Sequence, residues 1–342
     1  MKKLRVVVLM HEDLVPPESM DGYSDKEITE WKTEFDVVTA LQDIGHDVKS
    51  LGVHDDLGVI RENITEWKPH ITFNLLEEFH GLSLYDYHVA SYLELMKQRY
   101  TGCNPRGLML AHDKALSKKL LYFHRINVPR FLVIPIGKVP AVPVRLKFPL
   151  FVKSLCEDGS YGIAQASVVY NEEKFRERVS YLHEQLATPV IVEEYIEGRE
   201  LYISVTGNKR LQTFPVIELK FGKKRDDTLM IATSKVKWDP DYQKRHKIDT
   251  TVAEDLTADL RQKIAKLSKR IYRILGLTGY ARIDLRLKDN DEIYVLEANP
   301  NPDIGYGSEI SCATEAVGIE YGELLQRIIN YGLRYDPESR LA

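Results

Sequence analysis

The chain has 342 residues, 44% of them hydrophobic, with 47 Lys and Arg against 51 Asp and Glu and a formal net charge of -4. That length leaves ample core for two or three domains, and so even a charge balance argues against a general nucleic-acid or anionic-membrane surface, which needs clustered Lys and Arg to displace counterions. Cys103, Cys156 and Cys312 are odd in number, far apart and without a C-x-x-C pair, which argues against a disulfide framework or zinc site and points to a reducing, cytoplasmic compartment.

The opening "MKKLRVVVLMHEDL" has a short apolar run stopped by "HED" and no small-residue cleavage site, so it reads as a first strand rather than a signal peptide. Ile28, Trp31, Phe35, Val38 and Leu41 then recur at helical spacing until Gly45. "DVKSLGV", a second helical pattern through Ile60, Ile64 and Trp67, and "HITFNLL" follow. This order predicts a βαβαβ unit with a parallel sheet. No G-x-G-x-x-G follows the first strand, so the dinucleotide fingerprint is absent.

Near residue 112 the texture changes. In "AHDKALSKKLLYFHRINVP" Asp113 caps a short helix that ends ahead of Pro129. "FPLFVKS", a glycine-containing loop, "IAQASVVY", a helix through Phe175, Val179, Leu182 and Leu186, and "PVIVEEYI" predict a compact α+β unit. The last part carries "ELYISVTGN", "TFPVIEL" and a helix through Leu260, Ile264, Leu267, Ile271 and Ile274, which Gly276 ends. Expected boundaries fall near 112 and 200. No run approaches the roughly 18–20 apolar residues of a membrane span.

The stretch "GYARIDLRLKDNDEIYVLEANPNPD" closes this part. Alternation puts Arg282, Asp284 and Arg286 on one face of its first strand and Ala281, Ile283, Leu285 and Leu287 on the other. A two-residue loop at Asn290 and Asp291 would pair Lys288 with Ile293, Asp284 with Glu297 and Arg282 with Asn299. Facing carboxylates cost roughly 0.2–1 kcal/mol even on a wet surface. A Mg²⁺ ion, which is held by one or two carboxylates plus substrate phosphates, answers that cost; a solvated face neutralised by Arg282 and Arg286 answers it too.

Two further stretches bear on the choice. In "VKSLCEDGSYGI" a strand delivers Lys153, and Gly159, Ser160 and Gly162 form a loop whose backbone N–H groups can wrap phosphate oxygens or simply turn the chain. Lys114 sits just inside a helix, where an anion is favoured or where a charge is merely solvated. In "VIVEEYIEGRELYIS" an apolar strand runs into Glu193, Glu194 and Ile196, then Glu200 beyond the Gly198 turn. Such a segment can offer backbone groups to an adenine edge and a carboxylate to ribose, or be an exposed strand end.

Together these stretches resemble the ATP-grasp superfamily, in its D-alanine-D-alanine ligase branch, from about residue 70 onward. The R-x-D and E-x-N pair of the hairpin is the most specific match. The resemblance implies that Asp284, Glu297 and Asn299 hold Mg²⁺, that Arg282 steadies the reacting carbonyl and phosphate, and that Lys114 and Lys153 bind phosphates. It implies that Gly159, Ser160 and Gly162 cover the phosphates, and that Glu193, Glu194, Ile196 and Glu200 hold adenine and ribose. Ser308, eleven residues beyond Glu297, falls where the family binds the acceptor's carboxylate. Lys237 and Trp238 stand where it has a lysine and a tyrosine. The first strand lacks the family's glycine-rich sequel, leaving Glu27 or Glu30 to meet the donor ammonium.

The implied fold is α/β and α+β: a Rossmann-like N-terminal domain over residues 1–112, a small central lid domain over 113–200 and a C-terminal antiparallel-sheet domain over 201–342. The implied activity is ATP-dependent carboxylate-amine ligation through an acyl phosphate, with ATP and two Mg²⁺ ions, or Mn²⁺, as cofactors. Amino acids or carboxylates are the expected substrates, with no nucleic-acid or membrane partner and a homodimer as the expected assembly. D-alanine-D-alanine ligase itself is the alternative, and so is a non-catalytic ATP-binding module, which would have no use for Arg282 and Ser308.

Overall fold

Five consecutive residues, Val6 to Met10, are each at most 2% exposed, as a strand covered on both faces requires. In the computed structural model, which describes residues 2–156, 162–222 and 231–338, they lie in β1 (Arg5–His11). β1 is the middle of a parallel sheet, between β2 (Asp47–Val53) and β3 (Ile71–Asn74). The crossovers are α1 (Asp25–Asp43) and α2 (Leu57–Trp67). α1 starts at a capping box in which the Ser24 hydroxyl accepts from the Glu27 backbone while the Glu27 carboxylate accepts from the Ser24 backbone. The short helices α3 (Asp86–Leu95), α4 (Pro105–His112) and α5 (Lys114–Phe123) follow.

Asp113 caps α5 by accepting from the backbones of Ala115 and Leu116. The chain then builds an antiparallel sheet from β4 (Phe131–Ile134), β5 (Leu150–Ser154), β6 (Val168–Val169) and β7 (Val190–Glu194), in the order β4-β7-β5-β6. α6 (Glu172–Leu186) covers it with Phe175, Val179 and Leu182, all fully buried. Of "IAQASVVY" only Val168 and Val169 are strand; Gln165–Ser167 form a 3₁₀ turn.

A third sheet holds β8 (Arg199–Thr206), β9 (Gln212–Thr213), β10 (Ile217–Lys220), β11 (Asp249–Val252), β12 (Tyr280–Leu287) and β13 (Ile293–Pro300). Its order is β11-β10-β8-β12-β13, with β9 on β8. Helices α7 (Ser234–Trp238) and α8 (Pro240–His246) precede β11. α9 (Ala258–Ile274) lays Leu260, Ile264 and Ile271 into the same core as Ile203, Ile283 and Leu285. Gly276, at φ +64, follows its end. α10 (Glu309–Glu315) and α11 (Tyr321–Arg334) close the chain, and α11 packs Leu325, Ile328 and Ile329 into the core of the parallel sheet. No helix among the described residues is long and apolar enough to cross a membrane.

β12 is buried along its whole length, and its register with β13 partly differs from the sequence expectation. Asp284 faces Glu297 and Arg282 faces Asn299, but Leu287, not Lys288, faces Ile293. The loop is one residue longer than expected: the Lys288 backbone donates to the Glu292 carbonyl, and Asp291 adopts φ +60 in the turn between them. This is the form of a three-residue hairpin loop with a left-handed third residue. A bulge opposite the Asp284–Leu285 step, at Leu296, absorbs the offset. Beyond it the two carboxylates meet.

Candidate active site

Paired residues on antiparallel strands share a face. The β8–β12 register sets Ser204 beside Arg282, Tyr202 beside Asp284 and Glu200 beside Arg286. The β12–β13 register adds Asn299 and Glu297 to that face. Apolar burial of Ala281, Ile283 and Leu285 on the other face holds these polar side chains in place.

The Arg282 guanidinium donates twice to Asp284, at 2.7 and 3.0 Å, and once to Glu309, at 3.1 Å. Asn299 donates its amide to Asp284 Oδ2 at 2.9 Å. Lys237, on α7, lies 3.5 Å from the other Glu309 oxygen. Both cations lie over the Tyr202 ring, Lys237 at 5.0 Å and Arg282 at 5.1 Å. Burial raises the Glu309 carboxyl, but Arg282 and Lys237 overcome it and bring it down to about 2.

From the second sheet, Lys153 on β5 reaches Glu297 at 3.1 Å. Burial opposes ionisation of Glu297, yet the charges of Lys153, Lys114 and Lys118 hold its carboxyl well below the ordinary carboxylate range. Three lysines therefore converge on one acid. Burial pushes the Asp284 carboxyl up, with Arg282 pulling the other way. The two facing acids thus sit in unlike fields, one drawn to arginine and one to lysines.

Lys114 opens α5 and is 4% exposed. Lys118, one turn on, is 2% exposed; it lies 3.3 Å from Glu193 and donates to the carbonyl of the bulged Leu296. Glu193 is on β7, and Glu194, next to it, accepts from the Lys147 backbone at 3.3 Å. Glu200 accepts from Arg286 at 2.8 Å and from the Tyr202 hydroxyl at 2.9 Å. A narrow cavity takes Lys153, Glu193, Glu194, Tyr195, Ile196, Glu200, Asp284, Leu296 and Glu297 into one wall. A second, wider cavity is lined by Arg282, Asn299, Ser308 and Glu309 among others. Lys237 lines both.

The structure thus brings together Asp284, Glu297, Asn299, Arg282, Lys237 and Lys153, with Lys114 close enough to act on Glu297. Glu193, Glu194, Ile196 and Glu200 share the narrow cavity. Ser308 lines the wide one and also caps α10, its hydroxyl accepting from the Ser311 backbone at 3.4 Å. Gly162 adopts φ +72, a turn conformation, while Gly159 and Ser160 lie outside the described residues. Neither Glu27, committed to its capping box, nor the exposed Glu30 lines the wide cavity. Sequence reasoning missed Lys118, Glu309, Tyr202 and Arg286. Lys118 had a signal in its four-residue spacing from Lys114, which puts both on one helix face.

Two carboxylates and an amide, all oxygen donors on adjoining strands, suit a hard divalent cation that keeps waters and phosphate oxygens as its other ligands. The donor set therefore fits Mg²⁺, and it lacks the His and Cys that zinc prefers.

The D-ala D-ala ligase C-terminus family model matches residues 133–330. The D-alanine--D-alanine ligase of Desulfotalea psychrophila is 30% identical over 258 residues, covering 74% of this chain and 76% of that protein. That of Pseudothermotoga lettingae is 28% identical over 320 residues, covering 92% of this chain and 98% of that protein. In fold, the chain is similar to the crystal structure of the Bacillus anthracis D-alanine--D-alanine ligase complexed with ATP, with a TM-score of 0.73 at 23% identity over 97% of this chain and 98% of that one. Matched over more than half its length by the family model, the chain belongs to the D-alanine-D-alanine ligase family of ATP-dependent C–N ligases, with the ATP-grasp fold.

Proposed function

We propose that the protein joins a carboxylic acid to an amine at the seam of its two cavities, using ATP bound in the narrow one. The observation that carries this reading is the placement of Asp284 and Glu297 on the narrow cavity's wall and of Arg282, Asn299 and Ser308 on the wide one's, with Lys237 on both. A phosphate donor on one side and a carboxylate on the other would meet at these side chains.

Glu193, Glu194, Ile196 and Glu200 receive adenine and ribose, and Arg286 fixes the Glu200 carboxylate for that task. Lys114 and Lys153 neutralise phosphate charge, together with the loop that carries Gly159, Ser160 and Gly162. Asp284, Glu297 and Asn299 would hold Mg²⁺, one or two ions, or Mn²⁺, which would screen phosphate charge and make the γ-phosphorus a better electrophile. The donor carboxylate oxygen attacks that phosphorus and ADP leaves, giving an acyl phosphate. The acceptor's neutral amine then attacks the acyl carbon, and Arg282, with Lys237 beside it, stabilises the oxyanion before phosphate departs. Exclusion of water by the lid region, residues 113–200 and the α7 segment, protects the acyl phosphate. We place the reaction in the cytoplasm, with small amino or carboxylic acids as substrates and a homodimer as the working assembly.

The test is phosphate release from ATP and Mg²⁺ across a panel of amino and carboxylic acids, with hydroxylamine present to trap the acyl phosphate. Acid-dependent release with hydroxamate formation is the expected result. ATP binding with no stimulation by any acid would sink the reading and leave a nucleotide-binding module.

A further inference from the structure

The wide cavity holds about 930 Å³, near the top of the roughly 300–1,000 Å³ range of small-molecule sites. Its wall is strongly acidic. Seven carboxylates line it, against two permanent cations, Lys237 and Arg282. Those two cations are already engaged: Glu309 pairs with both, and Asp284 with Arg282. Glu309 stands next to Ser308 at the start of α10, so its carboxylate occupies the cationic end of the cavity before a substrate arrives.

Three of the remaining six acids come from different segments of the chain. Glu78, 3.4 Å from His11, comes from the segment after β3. Asp303 comes from the segment after β13 and is held by Thr33 at 2.8 Å. Asp86, 5% exposed, opens α3; its Oδ2 lies 3.1 Å from His112, and its buried Oδ1 has no hydrogen-bond partner among the described residues. Among those residues its charge is matched only by His112, a cation only when protonated, so this carboxylate leaves uncompensated negative charge beside the cavity. A substrate whose only charges are one ammonium and one carboxylate would bring no surplus positive charge to this wall. One with a further cation would be drawn in, because like charges exclude and unlike charges select.

Taking the ligation chemistry above as given, we propose that the amine acceptor is an amino acid whose side chain carries a second positive charge, ammonium or guanidinium, and that Glu309 sets this preference by holding Arg282 and Lys237.

The experiment compares lysine with norleucine, ornithine with norvaline, and arginine with citrulline, in both enantiomers, each as acceptor against a panel of donor amino acids. Phosphate release and product mass are the readouts. In each pair kcat/KM is expected to be at least tenfold higher for the cationic member. Glu309→Gln should shrink that ratio at least tenfold. Glu78→Gln, a change at a side chain 41% exposed and so safe for folding, should shrink it less and leave the KM for ATP unchanged. A rise in melting temperature with lysine but not norleucine, lost in Glu309→Gln, reads the same preference without turnover. Equal or better use of the neutral members, or a ratio that survives Glu309→Gln, overturns the proposal while the ligase reading stands. A lysine-specific melting shift with no phosphate release from any pair upholds the charge preference and sinks the ligase reading; silence in both readouts sinks both.

Discussion

Replacing Glu34 with Gln should stabilise the protein at neutral pH and remove a pH dependence. Glu34 lies on α1, 6% exposed, and makes no salt bridge among the described residues. Burial raises its carboxyl to about 7, and the negative charges of Asp303 and Asp36 add to the rise. The folded state therefore keeps a proton on Glu34 through a pH window in which the unfolded chain, with an ordinary glutamate, has released it. Folded protein binding more protons means that stability falls as pH rises through that window. The loss begins near the ordinary value of 4.5 and is complete above about 7. At 1.36 kcal/mol per pH unit that interval amounts to about 3 kcal/mol. Glu34→Gln has no charge to release, so it should match the wild type near pH 4.5 and exceed it by about 3 kcal/mol at pH 8. Denaturant titrations or melting curves of both proteins at half-unit steps from pH 4.5 to 8 measure the gap. A gap that stays constant over the range would refute the reasoning, since a packing effect of the amide has no reason to follow pH.

Other substitutions test other contacts. Glu297→Gln should lower kcat at least about 100-fold at saturating Mg²⁺, the scale of losing a charge-stabilising group at a reacting phosphate; near-normal turnover would remove Glu297 from the metal set. Lys118→Met leaves Glu193, 3% exposed, without its cation, which should cost about 3–5 kcal/mol in denaturant unfolding. Adding Glu193→Gln should recover much of that, and no recovery would mean that packing of Lys118 matters more than its charge. Gly279→Ala should destabilise by about 2 kcal/mol or more, because Gly279 is at φ +70 and a Cβ there would lie 2.4 Å from the Gly102 carbonyl oxygen; an unchanged melting temperature would count against that backbone geometry.

The sequence disclosed what periodicity controls. Strict alternation from Ala281 to Leu287 named the two faces of β12, and apolar residues at helical spacing named the buried side of α9. The hairpin's register near its turn was less accessible, because a three-residue loop and a two-residue loop read alike in "KDND". One trace of the bulge was visible. Ile293 and Val295, both buried, stand in phase with Glu297, so an unbroken strand would send apolar and acidic residues to the same face. Leu296 breaks the phase, as a bulge does. Contacts made by topology alone left no trace. Glu309 meets Arg282 across 27 residues of chain, and Lys118 meets Leu296 across 178. Local sequence there shows only an acid at a helix start and one lysine among several.

The site's charge arrangement follows from two residues that differ by one step of the β alternation. Arg282 lines the wide cavity and Asp284 the narrow one, two positions apart on a single strand. A guanidinium that chelates the neighbouring carboxylate in two bonds joins the walls of the two cavities. Lysine could not replace that arginine, since a single ammonium lacks the planar fork that holds Asp284 while still reaching Glu309. Glu309 pairs with Arg282 and Lys237 from the wide cavity's side. Asp284 and Glu309 therefore share one arginine at the seam, where the proposed ligation would develop negative charge.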